Sequence, residues 1–419
     1  MTITLAKHAG VLHRDMESLL SRRSALGVLG VAPVVASGVF AGATPVRAEG
    51  TAAGSDRVPR DLRPGGAFDR RLSQLAAEGR LSGTVLLAHK GKTVLERAYG
   101  MANARTSVRN GPDTAFALAS VAKLFTAIAV SQLAERGQVD FGQTIGAYLD
   151  GFPASVAGSV TVHHLLTHTS GMGNFQDSEE FRANVASWTS GAAMLDGIMG
   201  VVRETELRFA PGTRHDYSNS GFVTLGAIVQ AVSGQPFYDY IREHVFAAAG
   251  MTRTDYYTLP QRLTDDRIAR PYALLSTGER VDTLERPDLF WAGFIGEPAG
   301  DAFASARDMA RFARALTGNR LLGPAYTTLA VTGKHPLPRN PGTPPGAIPP
   351  HQAYGPIASI TRGQRIIGHG GGSPGAATSI DMYLDTGWVV VILSNHGDIT
   401  VNPPVSQVLM QEARRLIIG

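Results

Sequence analysis

Apolar residues dominate one stretch in the first third of the chain, from Phe116 to Leu133. Few polar residues interrupt it, and the spacing predicts a helix that is buried on most sides and ends near Gly137. Ser120 and Lys123 lie three residues apart at its start. Residues at this spacing share one face of a helix, so the lysine amine is predicted to reach the serine hydroxyl.

The pattern around this helix predicts strands at both ends of the chain. Residues 83–89 and 93–99 read as a hairpin. Strand-like runs near the C-terminus cover residues 357–360, 364–369, 378–384 and 389–394, followed by an amphipathic helix over 405–418. Helical sequence fills much of the middle. The predicted fold is α/β (α+β): an antiparallel sheet of N- and C-terminal strands flanked by helices, with an inserted, mostly helical subdomain.

Composition narrows the function classes. The 419 residues are 43% apolar and 18% charged, as in ordinary globular proteins. The absence of cysteine excludes disulfides, thiolate catalysis and Cys-ligated zinc. Of the net charge of +4, the first 48 residues supply +3, with five basic against two acidic residues. The rest is nearly neutral and has no basic run, so nucleic-acid binding is not predicted.

The N-terminal 48 residues have the pattern of an export signal. Arg22 and Arg23 precede a moderately apolar run, and Val46-Arg-Ala48 suits cleavage by signal peptidase, which is typical of a twin-arginine signal. The alternative is an uncleaved membrane anchor. We interpret residues 49–65 as a linker and 66–419 as the folded domain, which predicts an exported protein, periplasmic or extracellular, without stable membrane insertion after cleavage.

The chemistry expected of Ser120 depends on Lys123. A serine hydroxyl is a weak nucleophile that needs an adjacent base, and burial lowers the pKa of a lysine so that its neutral amine can act as one. The first turn of a helix also favours a developing oxyanion. The alternative interpretation makes Ser120 a helix N-cap and Lys123 a solvated neighbour.

Two further motifs can serve the same chemistry. Tyr217-Ser-Asn219 lies in a loop that enters a helix, where a tyrosine can relay a proton and an asparagine can orient a carbonyl or the lysine. His369-Gly-Gly-Gly372 ends a predicted strand, where glycines admit a substrate backbone and a free N–H can bind an oxyanion. Ordinary turn chemistry is the alternative for both.

Together these motifs resemble those of the serine β-lactamase and penicillin-binding-protein superfamily, in the branch of class C β-lactamases, DD-peptidases and related esterases. That family has Ser-x-x-Lys, Tyr-x-Asn and Lys/His-x-Gly in this order. The resemblance covers about residues 66–419, including the segments 165–171 and 299–308. It implies an acyl-enzyme mechanism without metal or cofactor. The implied roles are Ser120 as nucleophile, Lys123 and Tyr217 as base and acid, Asn219, His369 and Gly371 in substrate binding, and the N–H groups of Ser120 and Gly372 as oxyanion hole.

One departure from the family pattern bears on the substrate. Class C β-lactamases usually carry lysine where this chain has His369, and a histidine is largely neutral at pH 7. We therefore expect ester or amide cleavage of esterase, D-amino-acid peptidase or DD-carboxypeptidase type, on small-molecule or peptide substrates that include peptidoglycan-derived ones. The alternatives are a class C-type β-lactamase, or a catalytically silent peptidoglycan-binding or sensor protein on the same fold.

Two other patterns are interpreted as structural. Ser373 sits in a Gly-x-Ser-x-Gly sequence, but the next residue is Pro374, which has no N–H to give an oxyanion hole. His163, His164 and His168 suggest a metal site, yet no Glu or Cys stands at zincin spacing. Structural hydrogen bonding is the preferred interpretation of these three histidines.

Overall fold

The computed structural model describes residues 57–290, 292–338, 348–398 and 403–419. The signal predicted over 1–48 and the first part of the linker lie outside the described residues. A 3-10 turn, Arg60–Leu62, precedes the first helix. The side chain of Leu62 is buried against that helix in the core.

The helices, in chain order, are α1 (Ala67–Ala77), α2 (Lys123–Glu135), α3 (Ala154–Ala157), α4 (Val162–Leu166), α5 (Glu179–Asn184), α6 (Gly191–Arg203), α7 (Asn219–Ser233), α8 (Phe237–Ile241), α9 (Leu259–Thr264), α10 (Ala306–Thr317), α11 (Pro324–Val331) and α12 (Val405–Ile418). A π-helical segment, Arg242–Ala247, continues α8. None of the helices within the described ranges has the length and apolar character that a bilayer crossing requires.

The strands are β1 (Gly83–His89), β2 (Lys92–Tyr99), β3 (Met101–Asn103), β4 (Val108–Arg109), β5 (Phe116–Ala117), β6 (Tyr272–Leu274), β7 (Arg280–Asp282), β8 (Phe303–Ala304), β9 (His335–Pro336), β10 (His351–Gln352), β11 (Ile357–Thr361), β12 (Gln364–Ser373), β13 (Ala376–Tyr383) and β14 (Trp388–Ser394). Eight of them form one sheet in the order β2-β1-β14-β13-β12-β11-β10-β9. All neighbours in it are antiparallel.

Helices cover both faces of this sheet, which explains why its central strands are apolar at almost every position. Along β1, Val85 and Leu87 pack with α1 and α12, whereas Leu86 and Ala88 face the layer that contains α2. Alternate side chains of a strand point to opposite faces, so a strand buried on both faces has no polar side. The predicted fold class, a sheet of N- and C-terminal strands enclosing a mostly helical insertion, is confirmed.

The central helix α2 is buried from Lys123 to Ala134, as its largely apolar sequence predicts. Phe125 packs edge-on against Phe246 and Phe312, with ring centroids 5.0 and 5.1 Å apart. The helix packs against α7, and the 3-10 turn that precedes it, Ala119–Ala122, contacts β12. This arrangement brings the chemistry-bearing residues of distant segments together.

Strand β12 extends to Ser373, four residues beyond the predicted end at position 369. The sequence 370–372 is all glycine, which usually marks a turn, but here it continues the pairing with β13 from Ile366↔Tyr383 to Ser373↔Ala376. Pairing with a neighbouring strand therefore overrides the weak strand preference of glycine.

Candidate active site

The nucleophile candidate Ser120 lies in a 3-10 turn, Ala119–Ala122, immediately before α2. It is partly accessible, whereas the residues on both sides of it are buried. Ala119 has a φ of +45°, a left-handed conformation that a non-glycine residue adopts rarely. Such strain is typical of functional sites, where the surrounding structure holds it in place. The turn leaves the Ser120 residue partly accessible to solvent.

The Lys123 side chain is completely buried and its amine makes three contacts. Nζ lies 3.3 Å from Ser120 Oγ, 2.7 Å from Asn219 Oδ1 and 2.5 Å from the carbonyl oxygen of Ala299. Burial lowers the pKa of Lys123 to about 7, against the opposing effect of the carboxylates of Glu297 and Asp301. The amine predicted to reach the serine does so, and a large share of it is uncharged at neutral pH.

Asn219 is the first residue of α7, and its amide is fixed from several sides. Its Nδ2 donates to Gln176 Oε1 at 2.7 Å, which leaves Oδ1 to face the Lys123 amine. Its backbone N–H donates to Asn174 Oδ1, also at 2.7 Å. Ser218 caps the same helix by accepting from the N–H of Gly221 at 3.0 Å. The orientation of Asn219 thus follows from a cap and two amide partners.

The Tyr217 ring lies beside the lysine, with Lys123 Nζ 4.8 Å from the ring centroid. Its residue surface is 36% exposed, so a bound molecule can reach it. Desolvation raises the pKa of Tyr217, while a hydrogen bond with the Ser120 side chain acts in the opposite direction. The phenol therefore stays protonated at neutral pH.

Strand β12 lies against the turn that carries Ser120. A Cβ on Gly371 would overlap the Leu118 carbonyl oxygen and come within 3.1 Å of the Ser120 amide nitrogen, so only glycine allows this close approach. Thr378 on β13 donates to the same Leu118 carbonyl at 2.8 Å and ties the sheet to the nucleophile turn. A Cβ on Gly372 would meet only open space.

His369 is buried at the start of the glycine run. Its Nδ1 lies 2.6 Å from the Gly370 carbonyl oxygen, which can only accept, so Nδ1 carries the proton. Burial, with the nearby positive charge of Lys123, lowers the pKa of His369 to about 4. The imidazole is therefore uncharged at neutral pH and presents a lone pair on Nε2.

Two carboxyl groups that the sequence did not single out lie near the lysine. Glu297 and Gly300 close a tight turn through reciprocal backbone hydrogen bonds of 3.0 and 2.9 Å. Desolvation raises the pKa of Glu297 and of Asp301, and the two carboxyl groups repel each other's charge. Part of the Glu297 residue reaches the surface. These groups set the electrostatic environment of the Lys123 amine.

The structure thus brings together Ser120, Lys123, Tyr217, Asn219 and the β12 segment that carries His369, Gly371 and Gly372. Sequence reasoning missed Asn174, Gln176 and the Ala299 carbonyl. An amide in a loop gives no signal of its own, and a backbone carbonyl gives none at all. The Ala299 carbonyl does lie at the start of the segment 299–308, which resembles a recurring segment of the family, but that resemblance did not point to a contact with Lys123.

Of the residues interpreted as structural, His163 and His164 make local hydrogen bonds and Ser373 lies at a strand end. His163 hydrogen bonds through Nδ1 to the Tyr354 hydroxyl at 2.9 Å, and His164 completes a capping box on α4 with Thr161. Ser373 ends β12 before the turn at Gly375, whose φ is +87°. Among the described residues, no group of three or more His, Asp or Glu side chains could hold a metal ion.

A family model for β-lactamases matches residues 68–411. This span includes most of the chain and every site residue described above, and the chain belongs to the β-lactamase family, within the superfamily of serine β-lactamases and penicillin-binding proteins. Its fold is the serine hydrolase fold of that superfamily, as the resemblance implied.

Curated relatives agree with this placement. Penicillin-binding protein 4* of Bacillus subtilis (strain 168) is 28% identical over 358 residues, which cover 82% of this chain and 74% of that protein. Penicillin-binding protein 4 of Amycolatopsis lactamdurans is 29% identical over 274 residues, 62% of this chain and 68% of that protein. PbpX of Bacillus subtilis (strain 168) is 29% identical over 256 residues, 60% of this chain, and the match spans only 59% of that relative's length.

Solved structures show the same fold. A penicillin binding protein from Bacillus halodurans has a TM-score of 0.70 and 27% identity, covering 82% of this chain and 98% of that one. D-amino acid amidase from Ochrobactrum anthropi SV3, in complex with L-phenylalanine amide, has a TM-score of 0.66 and 24% identity, covering 83% of this chain and 98% of that one. At this identity the second likeness concerns the fold alone.

Proposed function

We propose that the protein is an exported serine hydrolase that cleaves ester or amide bonds through an acyl-enzyme on Ser120. The observation that carries the proposal is the buried Lys123 amine, 3.3 Å from Ser120 Oγ, with a pKa that burial lowers to about 7. An uncharged amine beside the serine at neutral pH supplies the base that this nucleophile needs. Membership of the β-lactamase family supports the same class of reaction.

The contacts of Lys123 orient its lone pair. A neutral amine has two N–H bonds and one lone pair, and the acceptors Asn219 Oδ1 and Ala299 O stand at 2.7 and 2.5 Å. With both hydrogens directed to these oxygens, the lone pair is left for Ser120 Oγ. Lys123 then takes the hydroxyl proton as Oγ attacks the substrate carbonyl carbon.

The remaining steps assign roles to the other site residues. The carbonyl oxygen becomes an oxyanion, which the N–H groups of Ser120 and Gly372 stabilise. When the bond to the leaving group breaks, the protonated Tyr217 phenol donates its proton to that group and regains one from the Lys123 ammonium. Water then hydrolyses the Ser120 ester by the reverse proton path and releases the acid product.

His369 favours substrates that place no carboxylate beside it. Its pKa of about 4 leaves it uncharged at neutral pH, and its Nε2 lone pair would repel a carboxylate oxygen. We therefore rank short-chain esters, amides and D-amino-acid peptides above β-lactams, and keep DD-carboxypeptidase activity on peptidoglycan-derived peptides as an option. Attraction for a carboxylate would rise only as the pH approaches 4.

Export rests on the sequence of residues 1–48, which lie outside the described residues. We propose a cleaved twin-arginine signal, a linker up to residue 65 and a hydrolase domain over 66–419 that acts in the periplasm or outside the cell. The size of the mature exported protein, measured by mass spectrometry, tests this: a protein that retains residues 1–48 in the membrane fraction contradicts it.

Labelling of the nucleophile tests the reaction class. A fluorophosphonate probe should label Ser120, and Ser120→Ala should abolish labelling in a protein that still unfolds cooperatively. Labelling that survives this substitution would refute the assignment of the nucleophile. No turnover of esters, D-peptides or β-lactams by the wild-type protein would favour the catalytically silent alternative.

A substrate panel tests the preference. p-Nitrophenyl esters, D-Ala-D-Ala peptides and nitrocefin are compared by kcat/KM for the wild type and for His369→Lys. We expect esters or D-peptides to be the better wild-type substrates, and His369→Lys to shift the preference towards substrates that carry a carboxylate. If nitrocefin is the best wild-type substrate, the protein is a β-lactamase and the interpretation of His369 is wrong.

A further inference from the structure

His168 lies between α4 and the N-terminus of α7, and its side chain is completely buried. Its φ is +54°, a left-handed conformation in which histidine is among the few tolerated non-glycine residues. We propose that His168 is a positioning residue that fixes the Tyr217 phenol against Ser120. The inference rests on the proposed function, in which Tyr217 moves a proton.

His168 holds the backbone on both sides of Tyr217. Its carbonyl oxygen accepts from the N–H of Asp216 at 2.8 Å, and its Nδ1 accepts from the N–H of Ser218 at 3.1 Å. One residue thus fixes the backbone N–H groups of the two residues that flank the tyrosine. The Ser218 contact also joins this segment to the cap of α7, whose first residue, Asn219, contacts Lys123.

The imidazole also fixes the ring of Tyr217. The two rings are stacked, with centroids 4.4 Å apart and an interplanar angle of 28°. The Phe222 ring also contacts the imidazole, with centroids 5.0 Å apart and an interplanar angle of 31°. The Tyr217 ring therefore packs against the buried imidazole of His168, which in turn contacts the Phe222 ring of α7. Three contacts, two to the backbone and one to the ring, determine where the phenol points.

A structural role alone explains the choice of histidine poorly. Nδ1 accepts a hydrogen bond, so the proton of the neutral ring is on Nε2. Nε2 is buried and has no hydrogen-bond partner among the described residues. Such an unpaired group lowers stability. A histidine at this position can do two things at once: its Nδ1 accepts the N–H of Ser218, and its flat ring stacks on Tyr217.

The test separates positioning from stability. Asparagine also tolerates a positive φ and keeps an acceptor oxygen, so His168→Asn removes the stacked ring while sparing the backbone. We expect kcat for p-nitrophenyl acetate to fall about tenfold to a hundredfold, the cost of misplacing a reacting group, with KM nearly unchanged. In the Tyr217→Phe background, where no phenol remains to be positioned, the same substitution should cause little further loss.

The outcomes are distinct. The same fold loss in both backgrounds, or a wild-type kcat for folded His168→Asn, would overturn the proposal. If Tyr217→Phe alone leaves kcat unchanged, the role of Tyr217 in the proposed function is wrong, and the positioning role falls with it. His163→Asn is the matched control. This histidine belongs to the same segment but contacts Tyr354 instead of Tyr217, so the kcat of the variant should equal that of the wild type. If His168→Asn does not fold, Phe222→Leu, which removes the ring next to the imidazole and leaves the backbone of His168 unchanged, is measured in both backgrounds, and the same non-additivity is expected.

Discussion

Replacing Lys123 with methionine removes the buried amine while keeping an unbranched side chain of similar length. Burial lowers the pKa of this lysine from 10.5 to about 7. At 1.36 kcal/mol for each pKa unit, the site disfavours the charged amine by about 5 kcal/mol relative to water. About half of the molecules therefore hold a neutral amine at pH 7. Without this base we expect acylation to slow about a hundredfold to ten-thousandfold.

Stability should change much less than activity. The substitution leaves Asn219 Oδ1 and the Ala299 carbonyl without their lysine donor, which costs about 1–3 kcal/mol for each unsatisfied group. Removing an amine that folding must desolvate offsets part of that loss. We therefore expect Lys123→Met to unfold cooperatively, with a modestly lower Tm.

The assay is kcat/KM for p-nitrophenyl acetate from pH 5 to 9, with fluorophosphonate labelling in parallel. Only the neutral amine accepts a proton, so the wild-type kcat/KM should rise with pH through a pKa near 7. This rising part of the pH profile should be absent from Lys123→Met. Lys334→Met is the control, because that amine donates to the carbonyls of Leu329 and Thr332 outside the site. A folded Lys123→Met protein with near wild-type labelling and the same rise of kcat/KM with pH would refute the role of the lysine.

Three further predictions concern the surroundings of the nucleophile. Gly371→Ala should lower kcat/KM about tenfold or more, because the added Cβ would push against the Leu118 carbonyl and the Ser120 amide. Gly372→Ala, whose Cβ would meet only open space, should retain most activity. Equal losses in the two variants would contradict this. Glu297→Gln removes a carboxylate that raises the pKa of Lys123. The rise of kcat/KM with pH should therefore occur at lower pH in this variant than in the wild type. A rise at the same pH or at higher pH is the contrary result. The pKa of His369 is about 4 in the folded protein, against an ordinary value of 6.5. Between these two pH values the unfolded chain binds more protons than the folded protein does. Up to about 3 kcal/mol of stability is therefore lost as the pH falls from 6.5 to 4. A steeper fall of Tm with acid in the wild type than in His369→Gln checks this, and parallel curves would count against it.

The sequence by itself determined the features that depend on local order. The three-residue spacing of Ser120 and Lys123 and the apolar run around them predicted a buried helix start with the amine near the hydroxyl, and the contact is 3.3 Å. The last helix, Val405–Ile418, has the predicted bounds because its amphipathic period is uninterrupted. The fold class followed from strands at both ends of the chain and helices between them, and it is confirmed.

Only the tertiary structure decided the environment that gives these residues their chemistry. Gln176, Asn174 and the Ala299 carbonyl come from segments far apart in the chain, and no local pattern shows that they converge on Asn219 and Lys123. The pKa of Lys123 depends on complete burial, and that of His369 on desolvation beside the lysine. The stacking of His168 on Tyr217 likewise joins residues 49 positions apart. Hydrogen bonds, desolvation and ring contacts act through space, so they become definite only when the chain has closed around the site.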